Sequence, residues 1–405
     1  MECHLRRVQP VLFAGILLAI AGAARGDAAD VFNVSLGQVV SHDSNLFRLA
    51  PETDAEAAIG SSRRADIYSQ STLRLMADKP LGRQTLHAAA GLTRVRYDHN
   101  RRLDSDLADY GGRWDWVLGH LWSGQIKVGR GETAPGFGDY RAPVADRVTT
   151  DTAEARATLM LHPAWRLGLG ATQTDAKHSA AVNAIGDSRV DGADLALRYT
   201  PGNGKEAGVR LRRNAGRYPN RQAVGGVAVD NSYAEEGIDF DAAWQASSAS
   251  RFKGSVGQSR RRHDDVPGRD FSGATGNFSW DWQATGRTSL GLAARREIGA
   301  QEDLIATYAV TDSLSLRAGW APTAKLSLNA SAEARQRDLR GDPAAALAGL
   351  PARRDDYRIA SIGAAYAPLR DLQLSLALRR ERRDSNMPGF SYLTAQVTAS
   401  VQFVF

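Results

Sequence analysis

Arginines spaced two residues apart are the most chemically pointed feature of this 405-residue chain: Arg210 with Arg212, and Arg335 with Arg337. In an extended segment, that spacing puts both guanidinium groups on one face. Together they can hydrogen-bond carboxylates, phosphates or sugar hydroxyls. They belong to a longer series that includes Arg74, Arg113, Arg156, Arg198, Arg317 and Arg379, with Asp115, Glu154, Asp239, Asp241, Asp281 and Glu333 interleaved. In one reading these charges pair across strands and keep an interior polar and wet. In the other, the surplus of cations draws anions, as charged rings do in pores. Nothing singles out a catalytic set. His42, His87, His99, His120, His162, His178 and His263 form no helical metal pair, Gly129-Arg130-Gly131 lacks the strand-to-helix setting of a phosphate loop, and no Ser/His/Asp group stands apart. The expectation is a protein with no catalytic residue, no metal and no cofactor, and not an enzyme.

The elements that must position these arginines are β-strands. At the C-terminus, Leu393, Ala395, Val397, Ala399, Val401, Phe403 and Phe405 alternate with Thr394, Gln396, Thr398, Ser400, Gln402 and Val404. One apolar and one mostly polar side is the pattern of a strand that spans a membrane between lipid and a wet lumen. About 18 such strands can be counted under the rule that a spanning strand needs roughly 9–11 residues bounded by turn chemistry. Short breaks at Asp78 to Arg83, Gly119 to Leu121, His162 to Ala164, Pro201 to Lys205, Ser247 to Ser250, Ala284 to Arg287, Ala321 to Lys325 and Pro368 to Asp371 alternate with longer polar segments such as Ser41 to Ala65. This rhythm predicts an all-β fold: a transmembrane antiparallel up-and-down barrel with short periplasmic turns, long external loops, both termini periplasmic and an even strand number. Most tryptophans fall near the short breaks, where an indole suits the boundary between hydrocarbon and headgroups. Phe403 and Phe405 are the expected barrel-assembly signal.

Charged residues pointing at lipid near the midplane would cost about 2–4 kcal/mol for each Arg or Lys, so the charges are expected on the lumen register. A mean hydropathy of −0.36 fits this fold, because alternation hides an apolar face inside a neutral average.

The first residues read as an export signal: Arg6 and Arg7, an apolar run from Val11 to Ala24, then small residues with cleavage expected after Gly26, or after Ala23 as second choice. Residues 1–26 are thus assigned to a signal peptide and 27–405 to an outer-membrane barrel. The run is shorter than the roughly 20 residues of a spanning helix. Cys3 lies inside the signal, so the mature chain cannot form an internal disulfide. Formal charge falls from +6 to about +4 once the signal's three arginines and Glu2 are removed, too little to imply nucleic-acid binding.

After the first strand comes Ser41-His42-Asp43-Ser44-Asn45-Leu46-Phe47-Arg48. Asp43 and Asn45 are turn formers whose side chains bond nearby backbone, and Leu46 with Phe47 is an apolar anchor, so the word reads as a structural corner tying the first loop to the lumen wall. Leu36, Gly37, Asp43, Asn45, Leu46, Phe47 and Arg48 resemble the opening of the EpsL-type outer-membrane β-barrels of exopolysaccharide biosynthesis operons. The resemblance implies a passive conduit for polysaccharide across the Gram-negative outer membrane, with polysaccharide, outer-membrane lipid, the barrel-assembly machinery and periplasmic polysaccharide-export proteins as partners. An 18-strand barrel is wide enough for a polar lumen, although segments as long as Ser41 to Ala65 have the length to fold inward. The alternatives are a general or anion-preferring porin, and a structural or assembly barrel that docks periplasmic partners through its short turns.

Overall fold

The computed structural model describes residues 31–138, 143–202, 204–220, 232–263, 270–300, 308–340 and 352–405. The export signal expected over residues 1–26 lies outside the described residues. Eighteen strands run β1 (Phe32–Asp43), β2 (Asp66–Leu81), β3 (Gln84–Tyr97), β4 (Ser105–Leu118), β5 (Trp122–Thr133), β6 (Val148–His162), β7 (Trp165–His178), β8 (Ser188–Tyr199), β9 (Lys205–Arg217), β10 (Tyr233–Ser247), β11 (Ser250–His263), β12 (Phe271–Gln283), β13 (Thr288–Ala300), β14 (Tyr308–Trp320), β15 (Leu326–Arg340), β16 (Arg354–Tyr366), β17 (Leu372–Ser385) and β18 (Tyr392–Val404). Each pairs antiparallel with its sequence neighbours, and β18 pairs with β1, so the sheet closes on itself and leaves no free edge. Phe405 completes the closure, its N–H donating to the Val34 carbonyl (2.8 Å) and its carbonyl accepting from the Val34 N–H (3.1 Å).

Every short break read from the sequence is a hairpin turn. The first is tighter than expected: β2 continues to Leu81, and only Gly82 and Arg83 turn. Gly82 supplies the positive φ (63°) that a two-residue hairpin requires. Pro80 stays in the ladder opposite Thr85 because β1 begins opposite Ala77, so the side on which proline's missing N–H would be needed has no partner strand.

Alternation sorts the faces. Leu73, Leu92, Leu169, Leu211, Leu316, Leu376 and Val397 stand exposed on the outer surface and form the apolar band. All eight tryptophans occupy outward positions beside short turns: Trp114, Trp116, Trp122, Trp165, Trp244, Trp280, Trp282 and Trp320. The outward face is not free of charge, contrary to the sequence expectation. Arg94, Arg130, Asp151, Arg296 and Asp312 point outward at the long-loop ends of their strands. Strands reach 16 residues and outrun the roughly 9–11 that cross the hydrocarbon, so these ends stand beyond it and charge there is inexpensive.

The main cluster of buried apolar residues lies inside the long-loop end. The first loop carries the short helix α1 (Ala55–Ile59), capped by the Asp54 carboxylate accepting from the Glu56 N–H (2.9 Å). It packs Leu46, Phe47, Leu49 and Ile59 against Tyr68, Val95, Tyr97, Leu103 and Leu107 of the barrel. A segment of the sequence's longest polar connections therefore fills part of the barrel mouth.

Candidate functional site: the charged lumen

The four arginines singled out by spacing all sit on the inward register, but they do not form one site. Arg210 and Arg212 are on β9, and Arg335 and Arg337 on β15, six strands away in a barrel of eighteen. Arg210 lies 3.9 Å from Asp194, and Arg212 lies 3.6 Å from Asp239 while donating to the Ser259 hydroxyl (3.3 Å). Arg335 pairs with Glu333 at 2.6 Å, and Arg337 donates to the Tyr357 hydroxyl at 2.9 Å. Each has a polar neighbour: Arg210, Arg212 and Arg337 find theirs on an adjacent strand and Arg335 along its own strand.

Three of the ion pairs span a strand and share one construction. Arg74, Gly91 and Asp109 lie in a row across β2, β3 and β4, with Arg74 and Asp109 meeting at 3.3 Å. Arg156, Gly170 and Asp194 repeat it across β6, β7 and β8 at 3.6 Å, and Arg198, Gly208 and Asp241 across β8, β9 and β10 at 3.9 Å. A Cβ on Gly91 or Gly170 would overlap the carboxylate that leans over it. Glycine at the centre lets two charges from next-nearest strands reach each other over bare backbone. Sequence reasoning missed Asp109, Asp194 and Glu206, although alternation along β4, β8 and β9 places all three inward. Glu206 meets Arg198 at 2.8 Å. With these acids, together with Asp78, Glu235, Glu297 and Glu381, the cation surplus inferred from the sequence largely disappears. Among the described residues, Lys127, Arg166, Arg251, Lys253 and Arg317 are inward cations that make no ion pair within 4.0 Å. Arg156, Arg166, Asp194, Arg198, Glu206 and Arg210 line an inward cavity of about 620 Å³ towards the short-turn end.

The opposite wall is richer in hydroxyl and amide groups, although Arg74, Arg379 and Glu381 also face inward there. From β16 through β18 and β1 to β2 the inward residues include Ser361, Ser375, Thr398, Ser400, Gln402, Ser41 and Thr72, with Ser41 bonded to Thr398 (2.9 Å). A solute in the lumen meets mainly guanidinium and carboxylate groups on one side and a larger share of hydroxyl and amide groups on the other.

Above this lumen, the geometry of the first loop is set by Asp43, Asn45, Phe47 and Arg48. The Asp43 carboxylate accepts from the Asn45 N–H (2.9 Å) and the Thr394 hydroxyl (2.7 Å), and pairs with Arg48 (2.9 Å). Asn45 donates to the Leu49 and Leu393 carbonyls, and Phe47 is fully buried. Arg48 holds a positive φ of 56°, the only non-glycine among the described residues to do so. The connection after β5 joins this plug: Phe137 packs on Phe47 with ring centroids 4.6 Å apart, and the Gly138 carbonyl accepts from the fully buried Arg383 (2.9 Å). Its far end is held by Asp146, which accepts from His178 (2.7 Å), Asn183 (2.7 Å) and the Ala180 N–H (2.9 Å). Burial alone would raise the Asp146 pKa, but these hydrogen bonds outweigh it and hold the carboxyl below its ordinary range. Phe403 and Phe405 sit outside, stacked at 6.3 Å on the lipid side of the closure. Among the described residues no cluster of His, Cys, Asp or Glu is arranged to hold a metal ion.

Residues 232–405 match the family described as "Putative beta-barrel porin 2". No curated protein matches the sequence. Three similar solved structures come from pseudomonads. Pseudomonas aeruginosa OccK2 (OpdF) is 14% identical with a TM-score of 0.54, over 92% of this chain and 98% of that one. P. aeruginosa OpdK, solved with vanillate, is 12% identical with a TM-score of 0.52, over 92% and 99%. A BenF-like porin from P. fluorescens Pf-5 is 10% identical with a TM-score of 0.52, over 92% and 98%. At these identities the likeness establishes the fold, a closed 18-strand antiparallel barrel, in agreement with the sequence. The comparisons overturn the expectation of a polysaccharide-export conduit, since family model and structures alike are porins, and the exopolysaccharide-operon resemblance finds no support. There is a physical reason why the short word misled: Asp43, Asn45 and Arg48 spend their hydrogen bonds on loop and wall, so the word records a corner of the barrel and carries no information about cargo.

Proposed function

We propose that this chain is a passive outer-membrane porin that passes small polar solutes with a weak preference for anions. The long loops face the exterior, both termini face the periplasm, and Phe403 and Phe405 are presented to the barrel-assembly machinery. The observation that carries the reading is the closed barrel whose inward register is rich in charged, hydroxyl and amide groups, with Lys127, Arg166, Arg251, Lys253 and Arg317 as inward cations that make no ion pair within 4.0 Å. Unpaired cations in a wet lumen hold an anion better than a cation, whereas the paired ones leave the net field small. Carboxylates are the solutes named for relatives in fold: vanillate with OpdK and glucuronate with OccK2.

The test is the reversal potential of the refolded full-length barrel in planar bilayers under a KCl gradient. A modest chloride preference that vanishes in a Lys127→Gln/Arg166→Gln/Arg251→Gln/Lys253→Gln/Arg317→Gln variant is the expected outcome. Absence of any conductance would sink the porin reading, and cation selectivity would sink its sign.

A further inference from the structure

On the outer face of the long-loop end, charges are mostly neutralised in directly opposed cross-strand pairs. Arg94 faces Asp106, Arg130 faces Asp151, Arg296 faces Asp312 and Arg354 faces Asp338, at separations between 2.6 and 3.8 Å. Across β16 and β17 the pattern breaks. Arg358 lies directly opposite Arg382, and Arg380 occupies the next outward position along β17. Arg382 is held by Asp384 at 2.9 Å, and the acid Asp356 sits one outward position nearer the loop. Among the described residues Arg358 and Arg380 make no ion pair. Like charges directly opposed on one sheet face repel, so a further anion beside Arg358 and Arg380 would be stabilising.

Immediately toward the apolar band, the same three arginines border an outward groove of about 610 Å³. Its floor is Ala332, Ala334 and Ala360, and its flanks are Leu314, Leu316 and Leu393, all exposed. Small side chains between leucines leave a trough as wide as a hydrocarbon chain. A free anion would need the arginines and not the trough; an uncharged lipid would need the trough and not the arginines.

We propose that this groove binds a phosphorylated lipid, its phosphate held by Arg358, Arg380 and Arg382 and one acyl chain laid along the alanine floor. The inference rests on the reading above that this face lies in a membrane. Guanidinium groups bind phosphate oxygens through paired N–H donors, and they do so better at the edge of hydrocarbon than in open water. The charge complementarity and the adjoining trough select one amphiphile, with phosphate at the loop side and chain at the band side.

The experiment uses the full-length barrel in mixed detergent micelles containing phosphatidic acid, phosphatidylcholine or inorganic phosphate alone, with bound lipid counted by native mass spectrometry. Phosphatidic acid is expected to bind about tenfold or more tightly than phosphatidylcholine. The preference should disappear in Arg358→Gln/Arg380→Gln/Arg382→Gln, survive in Arg296→Gln, and weaken in Ala334→Trp, which fills the trough and leaves every arginine in place. Displacement of the lipid by equimolar inorganic phosphate, equal binding of phosphatidylcholine, or full binding by either the triple variant or Ala334→Trp would each overturn the proposal. Channel conductance of the triple variant, measured in parallel, separates this failure from failure of the porin reading, because outward arginines do not touch the solute path.

Discussion

The two ends of the barrel solve different problems with the same strands. At the short-turn end the outer rim is aromatic, with Trp280 donating to the Ser250 hydroxyl (2.9 Å) and Trp114 to Gln84 (3.0 Å), while the inside is an open charged surface in which arginine meets aspartate over glycine. At the long-loop end the outer rim is ionic, and the inside is filled by loops that bury Phe47, Arg383, Asp355 and Tyr68. Indole rings suit a boundary where the chain turns back at once, whereas strands that continue past the hydrocarbon need charge on their outer face. The contrast teaches that solute size would be governed at the long-loop end by loop anchoring, and solute charge at the short-turn end by residues held on the strands alone.

The largest effect should come from the anchor. Arg383→Met removes the buried guanidinium that holds Gly138 and Phe390, leaving Asp355 without part of its partnership; breaking a buried charge pair of this kind costs about 3–5 kcal/mol. Hydrogen exchange in residues 44–65 and 134–138 should speed up and single-channel conductance rise, and an unchanged conductance would refute control by the loops. Next comes Gly170→Leu, whose side chain must displace the Asp194 carboxylate and break its approach to Arg156; overpacking costs about 1–3 kcal/mol, read as a lower thermal midpoint with altered ion selectivity. Gly131→Ala has open space around the new methyl and should leave both readouts alone.

A pH effect should be confined to the long-loop end. Asp146 has its pKa lowered in the folded chain, so its contribution is fully present above the ordinary carboxylate value of about 3.9 and is lost as pH falls through the lowered one. Protease protection of the connection after β5 should fade over that acid range, and Asp146→Asn should flatten the profile. Smallest are the rims themselves. Trp280→Leu and Arg296→Leu should each change stability by about 1 kcal/mol or less, the first by losing an interfacial hydrogen bond and the second by losing an exposed ion pair. A much larger loss at Arg296 would mean that this rim lies deeper in hydrocarbon than its paired charges suggest.

How far the fold could be read depended on locality. A strand's two faces are written in alternate residues, so the inward register of Arg74, Arg210, Arg335 and Arg379, the outward register of the tryptophans and the eight short breaks were open to inspection. Pro80 misled because its tolerance depends on where β1 starts, which nothing near Pro80 records. The lumen's charge balance misled for a similar reason: Arg156 and Asp194 are 38 positions apart in sequence, and Gly170 between them looks like an ordinary strand glycine.

By itself, then, the sequence determined a closed antiparallel barrel of about eighteen strands, its polarity between short and long connections, and the face each residue takes, because period-two patterning and turn chemistry act between near neighbours. Tertiary structure alone decided which arginines meet which acids, that Phe137 reaches Phe47, and that Arg358 and Arg382 face each other at the edge of an apolar trough. Those contacts depend on strand register and loop path, and they join residues whose separation along the chain leaves no local trace.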